Sequence, residues 1–161
     1  MKNILTIIIF VTVIGLLAFA FIPGFIDKYQ SKTAAKGVLD NVIDQDYQAA
    51  FERVYFYDKA IDLEPIISYE DAKSKWIQRV KDLREQGIYL VDYNQLRVGL
   101  DDTYPKGTVD LVIMQNGEKS VKKDVQLWFG PSEDKWKLGN FDYRQDDIEE
   151  EWENALSGNV N

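Results

Sequence analysis

Acidic and aromatic side chains are the residues of this sequence that could carry chemistry, because it contains no histidine and no cysteine. That absence excludes thiol nucleophiles, disulfides, histidine-dependent catalytic triads, and zinc sites of the usual Cys/His type. A carboxylate inside an apolar cavity remains one option for catalysis, because burial raises its pKa and the carboxylate can then act as a base.

Three aspartates alternate with apolar residues in stretches whose pattern predicts β-strands, and they are the candidates for such a base: Asp92, Asp110 and Asp124. In the strand "TVDLVIM", the alternation of side chains places one apolar set on a single face: Val109, Leu111 and Ile113. Asp110 lies on the opposite face, so it is solvated if that apolar set forms the core. We therefore expect no catalytic residue among these aspartates.

Two acidic clusters, "DNVIDQD" and "DYRQDD", lack the spacing of a calcium loop with its central glycine and terminal glutamate. The acidic stretch "QDDIEEEWE" near the end of the sequence fits the solvated face of a short helix, or a surface that docks on a basic partner. We expect neither a bound metal nor a cofactor.

The net charge of −8 argues against nucleic acid as a partner, because phosphate binding needs clustered lysine and arginine. The sole basic cluster of the sequence consists of Lys119, Lys122 and Lys123, and Asp124 follows it directly. We predict that these lysines lie on the exposed side of a strand.

Residues 4–22, "ILTIIIFVTVIGLLAFAFI", carry no charge over nineteen positions. As a helix they would span about 28 Å, close to the hydrocarbon thickness of a bilayer, so we predict a transmembrane anchor. A signal peptide cleaved after "AFA" and a buried helix inside a globular domain are the alternatives. We expect Pro23 and Gly24 to end this helix, with the anchor covering residues 1–26.

The lysines on either side of the apolar stretch bear on the orientation of the domain that follows the anchor. Lys2 precedes the apolar stretch, whereas Lys28, Lys32 and Lys36 follow it, so the positive-inside rule favours a cytoplasmic domain.

Residues 31–57 are predicted to form two helices separated by "DQD", with Asp44 or Asp46 capping the second. Helical spacing in the first is shown by the apolar positions 34, 35, 38, 39, 42 and 43. The second shows the same spacing at Tyr47, Ala50, Phe51, Val54 and Tyr55.

A third helix is predicted to begin at Ser68, which with Asp71 resembles a capping box, and to end at Gly87, a C-terminal cap. Its apolar stripe consists of Ala72, Trp76, Val80 and Leu83, widened by Ile77.

From residue 88 the apolar pattern changes to a period of two, with a shift between Tyr93 and Leu96 of the kind that a β-bulge causes. "QNGE" favours a tight hairpin, and "DDTYPKG" and "GPSEDK" favour turns. The sequence therefore predicts an antiparallel meander of about four strands. An acidic helix and a loose tail are predicted for residues 145–161.

Helices followed by a long curved meander form an α+β fold. Over about residues 31–144, this order resembles the nuclear transport factor two-like superfamily, also called the cystatin-like cone fold. "DQDYQAAFERV" resembles its first-helix elbow, "SYEDAKSKWIQRVKDLREQGI" its third helix and "DKWKLGNFDY" its closing strand. The likeness is nearest to membrane-proximal domains of Gram-positive envelope proteins, such as the N-terminal domain of methicillin-resistance-type transpeptidases.

The resemblance implies a bacterial cone domain over residues 27–144 that is not an enzyme and binds or spaces another cell-envelope protein. It also implies a single-pass protein of the cell membrane whose domain is extracytoplasmic, which disagrees with the positive-inside argument above. The superfamily also supplies single-pass subunits of type IV secretion machines, which favours a role in assembly. Some members enclose a pocket, and a few are isomerases or dehydratases that use a pocket aspartate with tyrosine donors. A small-ligand-binding protein and an enzyme of that type are therefore the alternatives.

We expect the aromatic residues of the helices to pack against the curved sheet, since an aromatic stripe at helical spacing is more often core than ligand site. A large aromatic ring can also lie at the mouth of a cavity. The residues predicted to line such a pocket are Tyr47, Phe51, Tyr55, Trp76, Tyr93 and Trp128.

Overall fold

The α+β class and the antiparallel meander are both confirmed by the computed structural model of the chain, in which helices pack on a four-stranded sheet of order β1-β2-β3-β4. It describes residues 2–58, 66–133, 135–143 and 150–161, without the side chains of residues 2–9, 13, 14 and 16–21. The helices are α1 (Lys2–Ile43), α2 (Tyr47–Phe51), α3 (Tyr69–Glu85) and α4 (Glu151–Leu156). The strands are β1 (Tyr89–Asp101), β2 (Tyr104–Gln115), β3 (Glu118–Ser132) and β4 (Lys135–Asp142).

Helix α1 continues through Pro23 without a break, so the predicted end at Pro23 and Gly24 is wrong. Proline removes one backbone hydrogen bond and disfavours a helix interior, but packing further along the chain outweighs that local preference. The second half of α1 is fixed by a stripe of buried residues with helical spacing: Ser31, Ala34, Ala35, Val38, Leu39 and Val42.

The predicted membrane anchor, residues 4–22, lies largely outside the described side chains, although the backbone of α1 covers it. Within the described part of the chain, no helical stretch combines the length and the apolar character that a membrane crossing requires.

Helix α2 is a single short turn that begins as predicted, because the Asp46 carboxylate accepts a hydrogen bond from the Ala49 amide at 3.1 Å. It ends at Phe51, so the helical prediction for Val54 and Tyr55 is wrong. Val54 instead forms an isolated parallel bridge with Leu138 of β4, and the Tyr55 amide donates to the Leu138 carbonyl at 2.8 Å. Pairing with the edge strand satisfies backbone groups that a longer helix would otherwise have satisfied.

Helix α3 agrees with its prediction at both ends. The Ser68 side chain accepts from the Asp71 amide at 3.2 Å, and Gly87 follows the helix with φ of +84°, a value that favours glycine. The predicted stripe of Ala72, Trp76, Val80 and Leu83 is buried, and Ile77 packs against the same core.

The sheet contains the predicted hairpin and the predicted bulge. Asn116 and Gly117 form the β2–β3 turn with φ of 54° and 83°, as a two-residue turn of type I′ requires. The register between β1 and β2 shifts after Leu90 and again after Asn94. Such bulges strengthen the local twist and bend a strand.

The sheet curls around α1, which contacts both edge strands, β1 and β4. At one end of the sheet the rings of Tyr104 in β2 and Trp136 in β4 meet with centroids 5.8 Å apart, although β3 lies between these strands in the sheet order. The Trp136 indole also donates to the Asp27 carboxylate of α1 at 2.9 Å. Tyr104, Trp136 and α1 therefore close that end of the curved sheet.

The C-terminal segment is packed, so the prediction of a loose tail is wrong. Trp152, Leu156 and Val160 are buried in the main core. The tail also pairs with the segment after α2, because the Tyr57 amide donates to the Gly158 carbonyl and the Val160 amide donates to the Tyr57 carbonyl, both at 2.9 Å.

The acidic face of the last helix is only partly solvated, which differs from its prediction. Glu153 is buried, and its carboxylate accepts from the amides of Tyr143 at 2.5 Å and Glu150 at 2.6 Å. The helix begins at Glu151, and the earlier part of the predicted helix lies outside the described residues.

Candidate functional site

The predicted pocket residues of the helices fill the interior between α2, α3 and the sheet. Phe51 and Trp76 are both 0% exposed, and Tyr47 is also buried. The Phe51 ring lies 5.7 Å from Trp76, 5.5 Å from Tyr69 and 5.7 Å from Phe56, centroid to centroid. These contacts are those of a close-packed aromatic core, in which each ring occupies the space that a ligand would need.

The other three predicted pocket residues lie in three different places. Tyr55 covers Gly130, since a side chain at Gly130 would clash with its ring. Trp128 is 37% exposed, and the Lys106 ammonium lies over its ring at 4.7 Å from the centroid. Tyr93 packs against the edge of the core. The structure therefore brings Tyr47, Phe51 and Trp76 together but does not join all six in one pocket.

Tyr93 is joined to α1 by a polar cluster of three residues. Its hydroxyl donates to the Asp40 carboxylate at 2.7 Å, and the Lys36 ammonium donates to the same carboxylate at 2.6 Å. Burial and the hydrogen bond to Asp40 raise the pKa of Tyr93, and the hydrogen bond to Asp40 raises the pKa of Lys36. A tyrosine with a raised pKa stays protonated near neutral pH, so it can donate a hydrogen bond but cannot act as a base.

Asp40 has the opposite shift. Burial alone would raise the pKa of this carboxyl, but the hydrogen bonds from Lys36 and Tyr93 outweigh burial and lower it. Asp40 therefore stays ionised near neutral pH and holds α1 against β1. The cluster borders a small surface cleft of about 440 Å³, to which Asp44 and Asp92 also contribute.

Asp110 is 8% exposed, so the prediction that it is solvated is wrong. One carboxylate oxygen accepts from the Asp124 amide at 2.9 Å and the other accepts from the Gln95 side-chain amide at 2.9 Å. Asp124 and Gln95 both have positive φ, and the β2–β3 register shifts between Val109 and Leu111. Asp110 thus satisfies a backbone donor at an irregular point of the sheet, which is a structural role.

The remaining candidate aspartates are on the surface. Asp124 is exposed, and Asp92 is exposed with its carboxylate accepting from the Tyr93 amide at 2.8 Å. Across the described residues, the structure shows no group of three or more acidic side chains placed to hold a metal ion.

The basic cluster of β3 is only partly exposed. Lys119 and Lys123 are exposed as predicted, but the side chain of Lys122 is mostly buried. Its ammonium forms an ion pair with Glu150 and lies 5.3 Å from the centroid of the Tyr143 ring. Lys122 therefore fastens the segment before α4 to the sheet.

Two further clefts lie on the surface formed by the described residues. A cleft of about 490 Å³ lies between α1 and β4, with Tyr29, Arg53 and Trp136 among the residues that line it. A groove of about 750 Å³ runs between α3 and the C-terminal segment, bordered by Gln78 and Arg79.

Arg79 connects the two sides of the second groove. Its guanidinium donates to the carbonyls of Ala155, Ser157 and Asn159 at 3.2, 2.7 and 2.5 Å. These carbonyls lie in the last turn of α4 and beyond it, where the backbone has no helical partner. Burial lowers the pKa of Arg79, but a guanidinium remains charged at physiological pH, so this clamp is permanent.

Exposed apolar side chains collect where the sheet end closes on α1. Phe25 is 73% exposed and Tyr104 is 61% exposed, and Ile26 and Leu100 are also exposed. Leu100 lies against α1, because its Cδ1 would be 2.9 Å from a Cβ placed on Gly24. We define the apolar rim as Phe25, Ile26, Leu100, Tyr104 and Trp136.

Sequence reasoning missed the apolar rim. "DDTYPKG" was interpreted only as a turn, although a tyrosine beside a two-residue turn and a leucine just before it were visible signals. Their position beside α1 could not be predicted, because it depends on how far the sheet curls.

No protein-family model, no curated protein and no solved structure matches this chain.

Proposed function

We propose that this protein is a membrane-anchored, non-catalytic domain of the bacterial cell envelope, which binds another envelope protein or holds it at a set distance from the lipid. The observation that carries the proposal is the filled interior. Phe51, Trp76 and Leu111 occupy the space between helices and sheet with 0% exposure, so the domain offers surfaces rather than an enclosed reaction chamber.

The chemistry of the acidic residues supports the non-catalytic assignment. Asp110 is committed to the Asp124 amide and the Gln95 side chain, and Asp40 is committed to Lys36 and Tyr93. A general base needs a pKa near the working pH and a free lone pair that faces the substrate. The pKa of Asp40 is lowered, which moves it away from the working pH. Asp110 is 8% exposed, and each of its oxygens accepts a hydrogen bond from a neighbouring strand.

The anchor is supported by the sequence of residues 4–22 and by the continuity of α1. The uncharged stretch has the length of a bilayer crossing, and the same helix carries on into the packed domain. The curl of the sheet around α1 supports the cone fold, and with it the resemblance to the nuclear transport factor two-like superfamily.

The anchor can be tested with lysines placed in the centre of the apolar stretch. The double variant Ile9→Lys with Val13→Lys adds about 5–7 kcal/mol to the cost of insertion, which is comparable to the total gained from the apolar side chains. We expect the unmodified chain to stay in bacterial membranes after a carbonate wash and the double variant to be released. The matched control, Ile9→Leu with Val13→Leu, should stay membrane-bound, and release of the unmodified chain would refute the anchor.

The side of the membrane can be tested with protease added to intact cells. We expect the domain beyond Lys28 to be digested, because the proposal places it outside the cell membrane. Protection in intact cells, together with digestion after lysis, would place the domain in the cytoplasm. That result would favour the positive-inside argument from Lys28, Lys32 and Lys36.

Binding to an envelope protein can be tested with a photo-reactive amino acid. Gln78 borders the groove between α3 and the C-terminal segment and is exposed, whereas Lys119 is exposed at the β2–β3 hairpin and does not line the groove. We expect a discrete cross-linked product in living cells from position 78 and a weaker one from position 119. Equal labelling at both positions would contradict a specific partner at that groove.

A further inference from the structure

We propose that the apolar rim rests in the headgroup layer of the same bilayer that takes residues 4–22, so that the domain is held against the membrane at a fixed orientation. This inference depends on the anchor proposed above. The occupant of the rim is a lipid surface, and the argument rests on where α1 places the rim relative to the end of its uncharged stretch.

The height of the rim follows from the rise of a helix. The predicted bilayer-spanning segment ends at Ile22, residues 23–26 after it are also uncharged, and the first charge beyond them is Asp27. Each residue of α1 adds about 1.5 Å along the helix axis. Gly24, which Leu100 contacts, therefore lies about 3 Å beyond Ile22 along the helix, and Asp27, which Trp136 contacts, lies about 7.5 Å beyond it. The headgroup layer on each side of a bilayer is about 5–7.5 Å thick. The rim thus lies within that layer.

The rim has the composition of a membrane interface. Tyrosine and tryptophan are enriched at the boundary between lipid and water, where one end of the ring is apolar and the other is wet. Tyr104 and Trp136 contact each other there with ring centroids 5.8 Å apart, and Phe25, Ile26 and Leu100 are exposed at the same level of the molecule. If this patch faced water, its exposed apolar surface would be unfavourable and would have no compensating contact.

Two of the three turns of the sheet lie at the rim. The β1–β2 and β3–β4 turns lie at one end of the meander, and the β2–β3 turn lies at the other. The eleven steps from Thr103 to Met114, which pairs with Lys119, correspond to about 36 Å along the strand. One end of the sheet therefore faces the lipid and the other end is far from it.

The charges at the rim end are mixed in sign. They are Asp27, Asp101, Asp102, Glu133, Lys28, Lys106 and Lys135. Lys106 forms an ion pair with Asp101 and so neutralises one charge at the turn itself. The apolar and aromatic side chains, rather than net charge, therefore provide the attraction of the rim to the membrane. Vesicles of phosphatidylcholine, which has no net charge, are the suitable probe.

The test uses nitroxide labels, which are simple to place because the sequence has no cysteine. Thr103→Cys puts the label at the rim and Lys119→Cys puts it at the far end of the sheet. The full chain is reconstituted in phosphatidylcholine vesicles, and the collision rates of each label with oxygen and with a water-soluble nickel complex are measured. We expect the label at position 103 to show at least a three-fold lower nickel collision rate than the label at position 119.

A second variant tests whether the rim side chains are the cause of the low nickel access at position 103. Leu100→Ser with Tyr104→Ser should restore nickel access at position 103 while leaving the fold intact, since both residues are exposed. Val121→Ser, which changes a residue of similar exposure on β3, should leave the label at position 103 protected. Equal nickel access at positions 103 and 119, or continued protection in the double serine variant, would overturn the proposal.

Flotation of the same vesicles separates the two proposals. If the chain floats with the vesicles and the label at position 103 is freely accessible, the anchor stands and the rim contact is refuted. If the chain does not float, the anchor is refuted and the rim contact is refuted with it.

Discussion

Gly158 provides the sharpest test of the packed C-terminal tail. A Cβ on this residue would clash with the Tyr55 carbonyl oxygen, and would lie 2.8 Å from the Tyr55 carbonyl carbon and 3.2 Å from the Gly139 carbonyl oxygen. All three atoms belong to the backbone of neighbouring segments, so they cannot move aside as the tip of a side chain can. Gly158→Ala should therefore displace the tail.

The magnitude follows from the hydrogen bonds that hold the tail. The Gly158 amide donates to the Gly139 carbonyl at 2.6 Å, and two further bonds join the tail to Tyr57. Each is worth about 1 kcal/mol, and forced overpacking costs about 1–3 kcal/mol. We expect Gly158→Ala to lower the free energy of unfolding by about 3 kcal/mol, or Tm by roughly 6–12 °C at this chain length.

The assay is urea unfolding of the full chain in mild detergent, followed by tryptophan fluorescence. Gly99→Ala is the matched control, because nothing lies within 4 Å of a Cβ at that position. The control should change the free energy of unfolding by less than about 0.5 kcal/mol, as surface substitutions usually do. If Gly158→Ala behaves like Gly99→Ala, the tail is not packed as described.

Three further predictions concern the core, the bulge and the polar cluster. Trp76→Ala should lower the free energy of unfolding by about 3–5 kcal/mol in the same urea assay, because it empties a fully buried site. Asp110→Ala should lower it by about 1–3 kcal/mol, because the amide at the bulge loses its acceptor; a neutral effect would contradict the structural role. The pKa of Asp40 is lowered in the fold, so its contribution is present above the unfolded pKa and is lost as pH falls through the folded value. The pKa of Lys36 is raised, so its contribution is present below the unfolded pKa and is lost as pH rises through the folded value. The stability difference between the unmodified chain and Asp40→Asn should therefore be constant from about pH 5 to pH 9 and shrink outside that range. Asp102→Asn, at an exposed turn, serves as the comparison. A difference that grew towards acid pH would contradict this assignment.

Elements with strong local signals could be predicted from the sequence. Helix α3 has its cap at Ser68 and its glycine at Gly87, and the β2–β3 hairpin has Asn116 and Gly117, whose residue types determine the turn. The alternation in β2 correctly placed Leu111 in the core. In each case the deciding interaction lies within a few residues of the chain.

The errors arose where a distant contact outweighed a local preference. Pro23 is a helix-breaking residue, but α1 continues through it into a half that is packed on the sheet. Tyr55 has helical spacing, but its amide binds the Leu138 carbonyl of a strand more than 80 residues later. No window of sequence around either residue contains that information.

The same limit applies to the candidate site. The alternation of side chains correctly put Asp110 opposite Leu111, but the bulge that covers its carboxylate depends on the backbone of Asp124 and on Gln95 from another strand. For the apolar rim, the side chains were visible in the sequence, and the closure of the sheet that gathers them was not.

Because α1 is unbroken, a tilt of its first half is transmitted to the domain that is packed on its second half. A helix of 42 residues is about 63 Å long, and its later half is clamped to the sheet by Asp27 and Asp40. A transmembrane helix tilts by about 20° on average, and over the roughly 36 Å length of the sheet such a tilt shifts the far hairpin sideways by about 12 Å. If residues 4–22 are anchored in a bilayer as proposed, a change in bilayer thickness that alters the tilt would move the β2–β3 hairpin, and the proposed rim contact would oppose that movement.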